Sequence, residues 1–287
     1  KARIEEGSKV EANYRGRGKW FGGRIKKDRG DGTFDIDYDD GDSESRVKEE
    51  NIRLLEAKKL RSTSPPSRRN RLEEGAKVEC ATLNSNDGPI YIGKNAEIME
   101  GSLVRGPFAM CEGAVLKMGT KVYSATTLGP YCVAGGEISN VVFWGYSNKG
   151  HDGFLGNAVL GEWCNIGADT NASNLKNTYD EVKVWNYSSG RFEKSAQQFC
   201  GLIMGDHSKC GINTMFNTGT VVGVGCNLFG AGFPRQFVPD FSWGGAQGFV
   251  THKLDAVHKT AALVLPRRKR EYGDFEKQVM EYAFTIT

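Results

Sequence analysis

The sequence predicts a mostly-β protein of two modules, a small antiparallel β-barrel followed by a parallel β-solenoid that ends in helices. Three observations predict it. Glycine supplies 37 of 287 residues, well above a usual share of roughly 7%, so the backbone must turn often. An apolar repeat of six residues runs through the second part of the chain, and neither the helical period of 3.6 nor the strand period of 2 produces a sustained six. The composition also changes near Gly75. Residues 1–75 hold 19 basic and 16 acidic side chains, whereas the remainder holds 19 of each, 28 of the glycines and all seven cysteines.

Four strand-like runs fill the first module: Lys9 to Arg15, Lys19 to Lys27, Thr33 to Asp39, and Glu44 to Val47 continuing towards Ile52. Turn chemistry separates them, as in Arg29-Gly30-Asp31-Gly32 and Asp39-Asp40-Gly41-Asp42, where residues that tolerate positive φ or form Asx turns suit tight hairpins. In Phe34-Asp35-Ile36-Asp37-Tyr38 apolar residues alternate with carboxylates, which reads as a strand with one wet face. Strands this short and this closely spaced suggest an SH3-like barrel over residues 1–57. Residues 58–70 follow as a basic Ser/Pro linker: from Lys58 to Arg71 there are six basic residues and no acidic one, around Ser62-Thr63-Ser64-Pro65-Pro66-Ser67. A net charge of +3 argues against a generic polybasic binder, so nucleic acid is not the expected partner.

The solenoid is expected over residues 71–250. Stepping by six from Ile92 meets Ile98, Val104, Met110, Leu116, Val122 and Leu128; the register returns at Leu160 and Ile166, and again at Met204, Cys210, Phe216 and Val222. All are apolar. Four residues beyond each stands a small side chain, as in Ala96, Ser102, Thr120, Cys132 and Thr220, with Phe108 the exception. A triangular solenoid explains both columns, with the apolar residue filling the interior of a flat side and the small one fitting a crowded corner. Glycine recurs at the second position (Gly93, Gly129, Gly167, Gly223), where we expect a corner to need permissive backbone. Glu73-Glu74-Gly75-Ala76-Lys77-Val78 nearly repeats Glu5-Glu6-Gly7-Ser8-Lys9-Val10, and both are read as leading into a first strand.

The repeat lapses twice, over Ala134–Gly153 and over Asn171–Gly201, and sites are usually built where loops leave a rigid scaffold. His151 lies in the first lapse. His207, in Gly205-Asp206-His207-Ser208, reads as a solvated corner residue. Helical spacing over Leu254–Leu265 and Tyr272–Phe284, with Pro266 between, predicts a C-terminal helical cap over residues 251–287 that covers the open end of the solenoid.

Two resemblances rest on these residues. The order K-V-E-A-N-Y, W-F-G-G-R-I, F-D-I-D-Y-D-D-G and V-K-E-E-N-I-R resembles a Tudor domain. That resemblance implies an aromatic cage for a methyl-Lys or methyl-Arg peptide, with Tyr14, Trp20, Phe21 and Tyr38 as walls and Asp40 as acidic neighbour; the same aromatics would also simply fill so small a barrel. The hexads resemble the left-handed β-helix, hexapeptide-repeat superfamily, whose members are typically homotrimers. Within it, G-H-D-G-F-L-G-N-A-V-L-G-E-W-C-N-I-G-A-D-T-N-A-S-N is similar to the acetyltransferase half of the bifunctional glucosamine-1-phosphate acetyltransferase and N-acetylglucosamine-1-phosphate uridyltransferase, and to bacterial sugar-nucleotidyltransferase-like relatives. The nucleotidyltransferase domain of those proteins has no counterpart in this chain.

This second resemblance implies acetyl transfer from acetyl-CoA to an amino sugar, sugar phosphate or nucleotide sugar. His151 matches the general base and Glu137 the carboxylate that orients it; Asn174 matches a sugar or acetyl contact, Ala168 lines the CoA channel, and Lys176 and Lys183 are candidate phosphate partners. The family's Tyr after the Asn is Leu175 here, and its sugar-phosphate Arg falls near Cys111 or Glu112. An alternative is a non-catalytic trimer that presents Tudor-like modules to peptides, where multivalency would raise weak affinities. A γ-type carbonic anhydrase would need three zinc-ligating histidines, and only His151 and His207 fall in the solenoid. Seven cysteines without a C-x-x-C motif read as reduced, mostly buried thiols in a cytoplasmic, reducing compartment, with no metal expected. No apolar run is long enough to span a membrane, the N-terminus is charged rather than signal-like, and a start at Lys1 rather than Met reads as a fragment or processed form.

Overall fold

The computed structural model describes residues 4–55 and 70–287, and the chain divides into two compact units at residues 65 and 66. Apart from Asn70, the expected linker lies outside the described residues. The first unit is a five-stranded antiparallel sheet of β1 (Lys9–Asn13), β2 (Trp20–Asp28), β3 (Thr33–Tyr38), β4 (Ser43–Lys48) and β5 (Ile52–Leu54), ordered β4-β3-β2-β1-β5. Val10, Ala12, Ile25, Ile36 and Val47 form its core. The wet-face reading fails at Asp35, which is only 8% exposed. Arg29 closes on it with Nε and Nη2, each 2.8 Å from a carboxylate oxygen, and the Arg46 amide adds a third donor. These donors hold its pKa down at about 2, and such pairing is what makes a buried carboxylate tolerable.

The second unit is a parallel β-solenoid. Met110 pairs with Ile92 in the coil below and with Leu128 in the coil above, so a regular coil takes eighteen residues, three hexads for three sides. Every apolar first position and every small fifth position of the repeat is buried, none exposing more than 5%. The corner hydroxyls satisfy themselves locally: Thr120, Thr214 and Thr220 each donate to the carbonyl three residues earlier, at 2.6, 2.9 and 2.8 Å. A buried hydroxyl without such an acceptor would be costly. The second-position glycines have a different reason from the one expected. Their φ values are not left-handed; instead a Cβ on Gly93 would stand 2.7 Å from the Cys111 carbonyl carbon, and one on Gly223 would stand 2.6 Å from the Asp240 nitrogen. Close approach of the next coil excludes a side chain there.

The first lapse in the repeat is not a loop. The strand Glu137–Gly145 pairs with both Lys121–Val122 and Thr127–Leu128 and turns a corner at Asn140, where φ is 55°. Ile138, Phe143, Lys149 and Leu155 occupy interior positions and are buried. The coil has merely lost residues at its corners, which throws a fixed six-residue step out of phase. The second lapse is a true excursion, leaving after Asn174 and returning at Cys200, whose amide bonds the Asn174 carbonyl at 2.9 Å. It carries an antiparallel hairpin, Lys183–Asn186 with Arg191–Lys194, and Trp185 stacks on Phe237 at 4.1 Å. Gly7 and Gly75, in the two echoed segments, both adopt left-handed φ (82° and 72°). The same turn therefore serves two folds, although the solenoid's first pairing strand is Arg71–Leu72, before the echo.

The C-terminal helices form where expected, α1 at Leu254–Val264 and α2 at Asp274–Thr285, but they do not close the end. The hairpin Ser242–Gly245 with Gly248–Thr251 is the last layer of the solenoid, and its Phe249 packs against the interior cluster. The helices lie along one corner instead. Val257 of α1 packs with Phe241 and Met280, while Ala261 and the following Leu265 pack on Trp163. The i, i+4, i+8 spacing of these three places them on one helix face.

Candidate active site

The turn Gly150-His151-Asp152-Gly153 forms a corner held from below, above and within. Below it, a Cβ on Gly136 would come 2.7 Å from the Gly153 carbonyl and 3.0 Å from that of His151. Above it, the Asp169 amide donates to the Asp152 carbonyl at 3.1 Å, and Ala168 in turn accepts from Asn213 at 2.7 Å. From within, Lys149 sends its ammonium to the carbonyls of Gly135, His151 and Asp152 at 2.9, 2.8 and 3.4 Å. His151 itself is exposed, and among the described residues its ring has no hydrogen-bond or ionic partner. His151 and Ala168 thus share one corner on adjacent coils.

The other candidate residues lie apart from it. Glu137 is ion-paired to Lys121 at 3.3 Å, so within one chain its carboxylate is not turned to His151. Asn174 stands at the next corner, where its Nδ2 donates to Asn157 Oδ1 at 2.7 Å; a Cβ on Gly156 would meet Asn174 and the ring of Phe154, so that glycine keeps the surface between them open. Lys176 donates to the Glu181 carbonyl at 2.8 Å. Lys183 belongs to the excursion hairpin, exposed, with its carbonyl accepting from Gln236. A single chain therefore displays the residues along a corner, a side and the next corner, without enclosing them.

His207 is not a solvated turn residue. It ends a ladder of stacked rings at a third corner: Tyr131 on Tyr146 at 5.6 Å, Tyr146 on Trp163 at 4.3 Å, and Trp163 on His207 at 6.2 Å. All four have left-handed φ of 55° to 60°. That backbone costs roughly 1–2 kcal/mol per residue, offset here by stacking and by burial under α1. Burial, with Lys209 adding to it, pulls the His207 pKa down to about 4. A signal was available in the sequence, since each ring falls at the fourth hexad position of successive coils. Two concavities also follow this corner. One of about 380 Å³ is lined by Tyr146, Trp163, Lys209 and Arg267, and one of about 520 Å³ by Tyr131, Tyr146 and Arg267–Arg270. Neither is lined by His151.

In the first unit, Tyr14 meets Phe21 and Tyr38 edge-on at 5.9 and 5.3 Å. Tyr38 belongs to the core, only 5% exposed, with its hydroxyl on Glu44 at 2.8 Å, whereas Phe21 is 41% exposed. Trp20 does not join them, because neighbours along a strand face opposite sides; the Arg53 guanidinium covers its ring at 3.7 Å. Asp40 is spent on its own turn, accepting from the Asp42 amide at 3.1 Å.

All seven cysteines are free thiols, and Cys132, Cys164, Cys210 and Cys226 are buried. Burial pushes the Cys132 and Cys164 thiols up to about 12, which makes them inert as nucleophiles. Among the described residues no cluster of His, Cys, Asp and Glu could hold a metal ion, and no helix is long and apolar enough to cross a membrane.

No protein-family model matches the chain. Over 76 residues it is 40% identical to the bifunctional protein GlmU of Methanocaldococcus jannaschii, a match that takes in 26% of this chain and 18% of that protein. The chain thus spans less than a fifth of the length of the curated relative it matches. Among solved structures it is similar to a UDP-N-acetylglucosamine acyltransferase from Campylobacter jejuni, with 15% identity, a TM-score of 0.38, and coverage of 75% of this chain and 83% of that one. It is also similar to AntD, an N-acyltransferase from Bacillus cereus in complex with dTDP-4-amino-4,6-dideoxyglucose and coenzyme A, with 14% identity, a TM-score of 0.28, and coverage of 61% and 80%.

Proposed function

We propose that this chain transfers an acetyl group from acetyl-CoA to an amino or hydroxyl group of a sugar phosphate or nucleotide sugar, with His151 as general base. The observation that carries this reading is the His151 corner. An exposed imidazole stands on a turn fixed by three layers of backbone, and the Asn-Ile-Gly-Ala-Asp-Thr segment and Asn174 follow it at the spacing of the resembled acetyltransferases. The stretch of 40% identity to a GlmU protein supports the same reading. An amine attacks a thioester only when neutral, and an imidazole can accept its proton near neutral pH. In this proposal acetyl-CoA runs past Ala168, Asn174 contacts the acceptor, and Lys176 and Lys183 meet its phosphates.

We propose further that the chain forms a trimer, as members of the resembled superfamily typically do. One outward column of the solenoid runs Tyr91, Ala109, Thr127, Val142 and Val159 in register; Tyr91, Val142 and Val159 are each 36–40% exposed, with Trp144 beside them at 65%. A largely apolar column of this kind is suited to association. Calorimetry with acetyl-CoA, thiol release in the presence of glucosamine phosphates, and light scattering on the same sample test the reading. Micromolar binding, acceptor-dependent thiol release and a threefold mass are expected. Absence of both binding and release overturns it in favour of a non-catalytic scaffold.

For the first unit we propose a peptide-docking role at the Tyr14 and Phe21 face, supported by the exposure of Phe21 and by Asp42 and Glu44 at its rim. A methyl-lysine and methyl-arginine peptide array is expected to show binding that Phe21→Ala weakens at least fivefold. Binding indifferent to that substitution, or none at all, removes the cage.

A further inference from the structure

The interior of the solenoid holds one residue that its packing does not call for. In the column of interior positions containing Ile98, Leu116, Ala134, Ile166, Cys210 and Leu228, the remaining coil contributes Lys149, which pairs in register with Ala134 and is 1% exposed. An ammonium in an apolar stack is unfavourable unless every donor is met. Here all three are: the acceptors are the carbonyls of Gly135, His151 and Asp152, and no carboxylate bonds the ammonium directly. The neighbouring coil places a small residue, Ala134, beside the lysine, which leaves room for the chain to bend towards the corner. Resting on the function proposed above, we infer that Lys149 is a positioning residue for the acyl-transfer step, clamping the His151–Asp152 backbone from inside the solenoid and so aiming the imidazole outward.

Three features of the fold support this reading. Two of the three acceptors are the carbonyls of His151 and the residue after it, so one bond acts on the peptide unit that directly follows the imidazole-bearing Cα and the other on the next unit of the same turn. The third, Gly135, belongs to the coil below, so the clamp ties the turn to a rigid layer and not merely to itself. Hydrophobic packing alone would be served as well by leucine or isoleucine, as the rest of the column shows. Burial lowers the lysine pKa to about 8, against the opposing pull of Asp152 and Asp169, which leaves the ammonium the majority form at neutral pH.

Lys149→Met separates positioning from stability. It restores an apolar interior of similar length, and replacing a buried charge by a well-packed apolar group is often neutral or stabilising. The expected result has three parts: a melting temperature within a few degrees of the parent, amide exchange over residues 150–153 at least tenfold faster, and kcat lowered at least tenfold with KM for acetyl-CoA within twofold. Unchanged exchange over the turn overturns the clamp, and unchanged kcat in a chain whose exchange has risen overturns its part in the reaction. A parent chain that transfers no acetyl group refutes the function proposed above, and the exchange measurement then decides the clamp by itself. Lys149→Leu, tested in parallel, guards against a folding defect peculiar to methionine; if both variants fail to fold, Lys149 is a structural requirement and the positioning inference is overturned.

Discussion

His151→Ala is expected to lower the rate of acceptor-dependent thiol release by about 10²–10⁴-fold, the range that a positioned general base contributes, while leaving the melting temperature unchanged. The second half follows from the structure. His151 is exposed and its ring makes no hydrogen bond or ion pair among the described residues, so its removal leaves neither a cavity nor an orphaned partner. The turn that carries it is held by backbone contacts with Gly136 and Asp169 and by Lys149, none of which involves the imidazole. Acetyl-CoA affinity is expected to change little, because the proposed channel follows Ala168 on the coil above. Stopped-time thiol assays and calorimetry on parent and variant check this. Retention of more than a tenth of the parent rate would exclude His151 as the base, and a large fall in stability would mean that the ring is packed in the assembly.

Acid is expected to weaken the solenoid through His207. Its pKa lies at about 4 in the folded chain, against about 6.5 in an unfolded one. Above pH 6.5 the ring is neutral in both states and its contribution is fully present; as pH falls, the unfolded chain takes up the proton first, so stability drains away between about pH 6.5 and pH 4. The shift corresponds to at most about 3 kcal/mol. The cause is the ladder: the ring stacks on Trp163 beneath a corner crossed by α1, with Lys209 opposing a second positive charge. His207→Phe keeps the stack and removes the titration. Denaturant unfolding of parent and variant at pH 7 and pH 4.5 is expected to show the parent losing distinctly more than the variant. Equal losses would place the ring in solvent.

The hexad register was legible because it records a steric rule at each residue. An apolar chain must fill each side and a small one must fit each corner, and all of those positions are buried. The two lapses show where that reading stops. A coil that drops residues at its corners, as between Leu128 and Phe143, stays in register in space while losing it in sequence, so Lys149 passed for part of a loop although it is an interior residue. Asp35 passed for a wet-face residue, because alternation does not reveal that Arg29 will close on it. Trp20 passed for a cage wall, because adjacency in sequence puts it on the opposite face of the strand from Phe21.

By itself the sequence determined the solenoid, its interior column and its terminal helices, since each depends on contacts that recur at a constant step along the chain, and it marked the excursion as a lapse of that step over Asn171–Gly201. Only the tertiary structure decided which coil edge the helices cover, that four aromatic and imidazole rings stack into a ladder, and that a lysine reaches from the core to the His151 turn. Those outcomes depend on coils stacking residues 15 to 44 positions apart, and a local period carries no information about how many residues each corner omits or inserts.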